Sequence, residues 1–245
     1  MTPPLLTPDT ALFLDIDGTL VEFQPRPEDV RIPGPLLETL AVLRRGLGGA
    51  CAVVSGRSLA DVDRLFAPLQ FATAGQHGSE ARLDAAGAPQ VFALHESALA
   101  AVIAAVQPLV VAHRGIRIEH KGLSTAFHYR DAAAQGPALR AALAAAVARH
   151  DVLQLLDSHL CYDVRPHEAN KGKAVERLMA VPPFAGRVPV YIGDDRTDED
   201  GFAAVLGLGG RAILVGPARP TRAPERIANP AALRAWLDQA ATALS

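Results

Sequence analysis

The chain has 245 residues, of which 49% are hydrophobic and 20% are charged, and its formal net charge is −2. This composition is typical of an ordinary soluble globular protein and excludes the strongly basic surface of a nucleic-acid-binding protein. The longest apolar window, residues 99–112, is shorter than the roughly 20 residues that span a bilayer and contains Gln107 and Pro108. We therefore expect partners that are neither nucleic acids nor membranes.

The N-terminus and the cysteines indicate a compartment. The first ten residues lack the basic segment and the long apolar stretch of a secretory signal. Cys51 and Cys161 lie apart, each within an apolar segment, which is typical of reduced, structural cysteines. We expect a cytoplasmic protein.

The first apolar run, residues 11–14, predicts a strand that is buried on both faces of a parallel sheet. It ends in a polar loop that contains Asp15 and Asp17. The next predicted elements are a helix over 33–47, a strand over 50–54, a helix over 59–66 capped by Ser58, and a strand over 71–74. Strands and helices that alternate at this spacing predict right-handed βαβ units.

Residues 81–166 follow a different pattern, because apolar and polar side chains alternate along their strands. This alternation predicts an antiparallel sheet with one open face. A hairpin around 84–89 and two alanine-rich helices over 97–112 and 137–149 belong to the same segment, and the helices are expected to cover the apolar face. The polar face is expected to display Glu119, Lys121, His128, Arg130, Asp163 and Arg165. We interpret this segment as an inserted domain.

The parallel pattern resumes after residue 166. Its predicted elements are a helix over 171–179, a strand over 188–192, a helix ending at 206, a strand over 212–215 and a last helix started by Asn229 and Pro230. The predicted fold class is α/β, with a Rossmann-like parallel-sheet core formed by residues 1–80 and 167–245 and an α+β insertion over 81–166. The glycine-rich segment 207–210 precedes a strand, and we interpret it as a turn rather than a phosphate loop.

Three polar clusters follow apolar strands of the predicted core, and a fourth, Lys171, stands at the start of a predicted helix. Each cluster has an ordinary explanation when it is taken alone, such as an Asp-Gly turn, a helix cap, a solvated helix N-terminus or a surface lysine. The carboxyl ends of parallel strands meet at one edge of a sheet, however, so these side chains are expected to converge on one crevice. The clusters are Asp15 with Asp17, Ser55, Lys171, and Asp194 with Asp195 and Asp198.

These residue types fit phosphoryl transfer. Asp15 is suited to act as a nucleophile that forms an aspartyl-phosphate. Asp17 is suited to protonate the leaving hydroxyl group and later to deprotonate the attacking water. Ser55 and the amide groups of its loop can donate hydrogen bonds to the phosphoryl oxygens.

A divalent cation is needed in this arrangement, because a carboxylate attacks an anionic phosphate only when the negative charge is offset. We predict Mg²⁺ held by Asp15, Asp17 and Asp194, with Lys171 as a second positive charge. Asp195 and Asp198 are predicted to support the metal ligands from the surrounding shell of residues.

The motifs Asp15-Ile-Asp17-Gly-Thr-Leu, Val54-Ser55-Gly-Arg57, Asn170-Lys171-Gly and Gly193-Asp-Asp-Arg-Thr-Asp-Glu-Asp resemble the four motifs of the haloacid dehalogenase superfamily. Within that superfamily the chain is most similar to the trehalose-6-phosphate phosphatases. The narrower resemblance depends on the segments 75–80, 118–122, 128–130 and 164–172, and the motifs together run from about residue 11 to 215.

The resemblance implies a Rossmann-like core with a mobile α/β cap, Mg²⁺, and a trehalose 6-phosphate substrate, with a trehalose-6-phosphate synthase as the pathway partner. It also implies that Glu119 and Lys121 recognise sugar hydroxyl groups. The chain departs from the family at Asp163, where a glutamate is usual and where a shorter carboxylate is expected to reach a sugar hydroxyl only through water. The other predicted substrate-binding residues are Gly56, Arg57, Arg130, Arg165 and Asn170.

Other interpretations remain open from the residues themselves. The same chemistry could serve another sugar phosphate. A phospho-acceptor signalling domain also stores phosphate on an aspartate, but Asp17 and the large polar insertion disfavour it, and the full set of catalytic groups disfavours a silent sugar-phosphate-binding protein. Glu119, Lys121 and Asp163 could form a cross-strand charge cluster on a solvated face. His77 and His128 are left without a role.

Overall fold

The computed structural model describes residues 3–24, 26–92, 95–158 and 160–245. The strands are β1 (Thr10–Leu14), β2 (Cys51–Val54), β3 (Ala72–Gly75), β4 (Glu80–Arg82), β5 (Gln90–Val91), β6 (Arg117–His120), β7 (Thr125–His128), β8 (Leu153–Ser158), β9 (Cys161–Pro166), β10 (Val188–Gly193), β11 (Arg211–Val215) and β12 (Glu225–Ile227). The helices are α1 (Gly34–Gly46), α2 (Leu59–Phe66), α3 (Glu96–Ala112), α4 (Gly136–Val147), α5 (Lys171–Met179), α6 (Glu199–Gly207) and α7 (Pro230–Ala243). They form two units, Met1–Gln90 with Asn170–Ser245, and Val91–Ala169.

The first unit carries a sheet in the order β12-β11-β10-β1-β2-β3-β4-β5. Strand β1 lies between β10 and β2 and pairs with both in parallel, and all five of its residues are buried. This burial explains why the run contains no polar alternation, since helices cover both faces of a parallel sheet. The loops that follow β1, β2 and β10 consequently leave the sheet at the same edge.

Helix α1 buries Leu36, Leu40 and Leu43, which pack in one cluster with Trp236 and Leu237 of α7. The helix starts are fixed by local chemistry, as predicted for Ser58 and Asn229. Ser58, Asn170 and Asn229 each accept a hydrogen bond from a backbone amide in the first turn of their helix. The glycine-rich segment 207–210 ends α6 and leads into β11, so its interpretation as a turn is confirmed.

The hairpin around residues 84–89 differs from the prediction, because its strands extend the large sheet instead of the inserted one. Strand β4 pairs antiparallel with β3, and β5 follows it at the edge. Arg82 attaches β4 to this unit: it is buried, it forms a two-pronged ion pair with Asp63 of α2 at 2.6 and 2.9 Å, and it donates to the carbonyl of Phe71. Asp63 and Phe71 are distant from Arg82 in sequence, so no local sequence pattern predicts these contacts.

The second unit is a four-stranded antiparallel sheet in the order β6-β7-β9-β8 with helices α3 and α4. Phe127, Tyr162 and Val164 lie in its core with Val102 of α3 and Leu143 of α4. The alternation along the strands therefore identified the apolar face correctly. The predicted fold class, an α/β core with an inserted α+β segment, is confirmed. Among the described residues, no helix combines the length and the apolar character needed to cross a bilayer.

Candidate active site

Three carboxylates meet beyond the ends of β1 and β10. Each of Asp15, Asp194 and Asp198 offers an oxygen that lies within 4.8 Å of the other two. Asp15 directly follows β1, and Asp194 directly follows β10, so the parallel pairing of these two strands brings the residues together. The convergence that the sequence predicted therefore exists for these side chains.

Lys171, the first residue of α5, supplies a positive charge to this cluster. Its side chain is 3% exposed, and Nζ lies 2.8 Å from Oδ1 of Asp15 and 2.6 Å from Oδ1 of Asp198. Burial opposes the charge on Lys171, but the two carboxylates outweigh burial and raise its pKa above the ordinary lysine value. The lysine is therefore a permanent cation held against Asp15.

One lysine does not balance three carboxylates. Burial, followed by the charge of Asp198, raises the pKa of Asp15 to about 7, although Lys171 opposes the shift. Burial and the charges of Asp15 and Asp198 raise the pKa of Asp194 to about 9. A cation between these oxygens would relieve the repulsion, and carboxylate oxygens are the donors that Mg²⁺ prefers. The donor set therefore fits a magnesium ion.

The carboxylate of Asp198 is already fully engaged with protein donors. Its Oδ1 accepts from Lys171 and, at 2.8 Å, from the hydroxyl of Tyr191. Its Oδ2 accepts from the backbone amides of Asp194 and Asp195, each at 3.0 Å. Asp198 consequently organises the loop that carries Asp194. The side chain of Asp195 caps the following turn by accepting from the amide of Thr197.

Asp17 is predicted to bind the metal, but its carboxylate lies outside the group formed by Asp15, Asp194 and Asp198. Its two oxygens accept from Nε and Nη2 of Arg57 at 2.6 and 2.7 Å. Arg57 also donates from Nη1 to the carbonyl of Pro27 at 3.1 Å. Arg57, predicted to bind substrate, thus holds the candidate acid in this structure.

Ser55 lies in a loop that is tied to a second loop after β3. Ser55 is 1% exposed, its hydroxyl accepts from the amide of Arg57, and its carbonyl accepts from the amide of His77 at 3.0 Å. His77 and Gln76 have φ values of 58° and 46°, the left-handed region that side chains disfavour. Backbone strain of this kind is typical of functional sites. His77, left without a role by the sequence, supports the Ser55 loop.

Two glycines of the motifs are explained by close approaches. A Cβ atom on Gly56 would lie 2.7 Å from the ring of His77. A Cβ atom on Gly18 would lie 2.2 Å from Oδ2 of Asp194 and 2.4 Å from the ring of Phe23, and Gly18 has a φ of +85°. The carboxylate of Asp194 therefore occupies the place that any side chain at residue 18 would need.

Gly18→Ala is expected to weaken Mg²⁺ binding about tenfold or more, because the new methyl group displaces the carboxylate of Asp194. Gly209→Ala is the matched control, since Gly209 has a φ of +75° and open space around it. Both variants should lose roughly 1–2 kcal/mol of unfolding free energy from the strained backbone. Calorimetric titration with MgCl₂ and denaturant unfolding measure the two effects; equal Mg²⁺ affinities in the two variants would contradict the explanation.

Three residues that shape this site were not predicted from the sequence. The hydroxyl of Thr19 lies 3.0 Å from both Oδ2 of Asp15 and Oδ1 of Asp194. Tyr191 belongs to an apolar strand and gave no polar signal, yet it donates to Asp198. Arg219 lies in a loop without a motif and donates to the carbonyl of Asp194 at 3.2 Å. Only Thr19, within the Asp-Gly-Thr motif, could have been found from its position.

The predicted sugar-binding residues lie in the second unit. Nζ of Lys121 lies 3.3 Å from Oδ1 of Asp163, and Nε2 of His128 lies 2.7 Å from Oε2 of Glu119. Arg130 follows β7 and is exposed. Arg165, expected on an open surface, is only 2% exposed. Asn170, predicted to bind substrate, accepts a hydrogen bond from the amide of Lys173 as the cap of α5.

Comparison with known proteins gives the family of the chain. The trehalose-phosphatase family profile matches residues 13–224. A trehalose-6-phosphate phosphatase of Escherichia coli (strain K12) is 35% identical over 249 aligned residues, which cover 100% of this chain and 93% of that protein. The chain belongs to the trehalose-phosphatase family. The family is one of phosphoric monoester hydrolases, so the predicted enzyme class is confirmed.

A second relative supports the family, and a solved structure supports the fold. A probable trehalose-phosphate phosphatase of Sinorhizobium fredii is 40% identical to this chain over 215 residues, which cover 86% of this chain and 79% of that protein. The solved C-terminal domain of a trehalose-6-phosphate phosphatase from C. albicans has a TM-score of 0.85 at 22% identity, covering 96% of this chain and 93% of that chain. At that identity the solved structure supports the fold alone.

Proposed function

We propose that the protein is a Mg²⁺-dependent phosphatase that hydrolyses trehalose 6-phosphate to trehalose and phosphate through an aspartyl-phosphate. The observation that carries the proposal is the buried carboxylate of Asp15, which lies against Lys171 and beside Asp194 in a member of the trehalose-phosphatase family. A trehalose-6-phosphate synthase would supply the substrate, and a cytoplasmic location would place the two enzymes together.

The first half of the reaction transfers the phosphoryl group to the enzyme. A carboxylate oxygen of Asp15 attacks phosphorus, the bond from phosphorus to the sugar oxygen breaks, and Asp17 gives a proton to that oxygen. Both oxygens of Asp17 accept from Arg57, so this ion pair fixes the orientation of the carboxylate that transfers the proton. Arg57 therefore sets the position from which Asp17 acts.

The second half restores the enzyme. Asp17 accepts a proton from a water molecule, whose oxygen attacks phosphorus and breaks the bond to Asp15, releasing phosphate. Lys171 holds Asp15 in place and offsets negative charge in both steps. The amides of the Ser55 loop are available as donors to phosphoryl oxygens. Mg²⁺, held by Asp15 and Asp194, would neutralise the phosphoryl charge as a Lewis acid.

We assign sugar recognition to the second unit, the predicted cap. On the polar face of its sheet, Lys121 forms an ion pair with Asp163, and His128 is hydrogen-bonded to Glu119. Charged donors and acceptors that are already oriented can bind several sugar hydroxyl groups with little loss of side-chain entropy. A solvated charge cluster with no ligand is the alternative, and the substrate dependence of variants on this face separates the two.

Lys121→Ala is expected to lower kcat/KM for trehalose 6-phosphate roughly tenfold or more, the effect of losing a charged hydrogen bond to substrate. Hydrolysis of glycerol phosphate should change little, because this ester has no sugar for the second unit to bind. Arg117→Ala is the control, since Arg117 begins strand β6, which ends one residue before Lys121, and its side chain is 68% exposed. Equal losses on both substrates would remove Lys121 from sugar recognition.

Phosphate release from trehalose 6-phosphate, with and without a chelator, tests the proposed function directly. We expect turnover that stops with the chelator and returns with excess Mg²⁺. A panel of sugar phosphates at equal concentration shows whether trehalose 6-phosphate is the preferred substrate. Faster turnover of another sugar phosphate would reassign the substrate, and a phosphorylated protein that does not turn over would indicate a phospho-acceptor.

A further inference from the structure

Arg219, in the loop between β11 and β12, contacts the backbone of the segment that carries Asp194. Its Nε donates to the carbonyl of Asp194 at 3.2 Å, and its Nη2 donates to the carbonyl of Asp195 at 2.7 Å. Its Nη1 donates to Oε1 of Glu199, the first residue of α6, at 2.5 Å. One guanidinium group thus joins two successive carbonyls to the start of a helix.

The same two residues are held from their other side by Asp198. Oδ2 of Asp198 accepts from the amides of both Asp194 and Asp195 at 3.0 Å. The carbonyls and the amides of these two residues are consequently all hydrogen-bonded, although they lie in a loop rather than in a helix or strand. Hydrogen bonds to Arg219 and Asp198 therefore fix the backbone that positions the side chain of Asp194.

This fixation opposes a repulsive force. One oxygen of Asp15 and one of Asp194 lie within 4.8 Å of each other, so the charged forms that bind a metal ion repel each other and favour a more distant Asp194 loop. We propose that Arg219 is a positioning residue of the metal site, which holds the Asp194 loop in its metal-binding geometry before the ion arrives and thereby raises the affinity for Mg²⁺. The inference depends on the proposed magnesium site.

An arginine suits this role better than a lysine. The guanidinium group is planar and presents its N–H groups in a rigid fork, so it can satisfy several acceptors that lie in different directions. Glu199 restrains the fork in turn, since its Oε1 accepts from Arg219 and its Oε2 accepts from the amide of Arg222 at 2.8 Å. A lysine at residue 219 would keep the charge but could not span the same three acceptors.

The test measures Mg²⁺ binding instead of activity. Full-length protein is stripped with a chelator, desalted and titrated with MgCl₂ in a calorimeter, using wild type, Arg219→Lys and Arg219→Ala. Arg211→Lys is the matched control: its ion pair with Glu225 has side chains that are 25% and 22% exposed, compared with 24% and 22% for Arg219 and Glu199. Arg211 donates to Glu225 and to the carbonyl of Pro4, which do not belong to the Asp194 loop.

We expect the dissociation constant for Mg²⁺ to rise about 10- to 100-fold in the Arg219 variants, as for other residues that support metal ligands, and to stay unchanged in Arg211→Lys. Hydrogen exchange of residues 193–199 in the ion-free protein should be faster in Arg219→Lys than in Arg211→Lys. Unchanged affinity and exchange in Arg219→Lys would overturn the positioning role, even if Arg219→Ala did not fold. Wild-type protein that binds no Mg²⁺ would instead overturn the proposed magnesium site itself.

Discussion

Asp15→Asn is expected to lower the rate of phosphate release by roughly 10⁴-fold or more, because an amide cannot form the acyl-phosphate bond on which turnover depends. The substitution preserves the size of the side chain and an oxygen that can accept from Lys171. It also removes one of the charges that raise the pKa of Asp194. The variant should therefore fold, with a melting temperature no lower than that of wild type.

Asp200→Asn is the control for this experiment, because Asp200 is an exposed residue of α6 outside the carboxylate cluster. Its rate should equal that of wild type. Mass spectrometry of the Asp15→Asn protein is needed to exclude deamidation, which would regenerate aspartate. Substantial turnover by intact Asp15→Asn protein would remove Asp15 from the nucleophile role, whereas a lost fold would be visible in the melting curve.

Lys171→Met is expected to lower the unfolding free energy by about 3–5 kcal/mol, the loss that follows when one partner of a buried ion pair is removed. Lys171 is almost fully buried and neutralises both Asp15 and Asp198. Without it, the negative charges of the two carboxylates are no longer offset, and the pKa of Asp15, which Lys171 lowers, should rise further. Catalysis should fall as well, because Asp15 loses the contact that holds it in place.

Lys173→Met is the control, since Lys173 lies two residues after Lys171 in α5 and is exposed. Urea unfolding of both variants at neutral pH measures the difference. The control should change stability by only a few tenths of a kcal/mol, as is usual for exposed positions. Similar losses in the two variants would show that the Lys171 ion pairs contribute little to the folded state.

The local elements of this chain follow directly from short-range patterns in the sequence. The apolar run before Asp15 became a strand buried on both faces, and Ser58, Asn170 and Asn229 became helix caps. Alternating side chains identified the inward face of the second sheet at Phe127. These features depend on the residue period and on the chemistry of a few adjacent groups, which the sequence displays openly.

The partners of the polar side chains depend on residues that are distant in sequence. Asp17 was predicted as a metal ligand, but Arg57, forty residues away in sequence, holds its carboxylate in the structure. Asp198 was predicted to support the metal ligands, but its four hydrogen-bond donors, which are Lys171, Tyr191 and the amides of Asp194 and Asp195, became known only from the structure. The hairpin belongs to the large sheet, where Arg82 of β4 pairs with Asp63 of α2.

The sequence by itself determined the order of the strands along the chain, the two kinds of sheet and the set of acidic residues that gather at one edge. Only the tertiary structure decided which carboxylate faces which cation, and it revealed Arg219 as the partner of the Asp194 loop. The physical reason is range. Periodicity and capping act over a few residues, whereas an ion pair or a carbonyl contact depends on where two distant loops are placed by the packing of the whole unit.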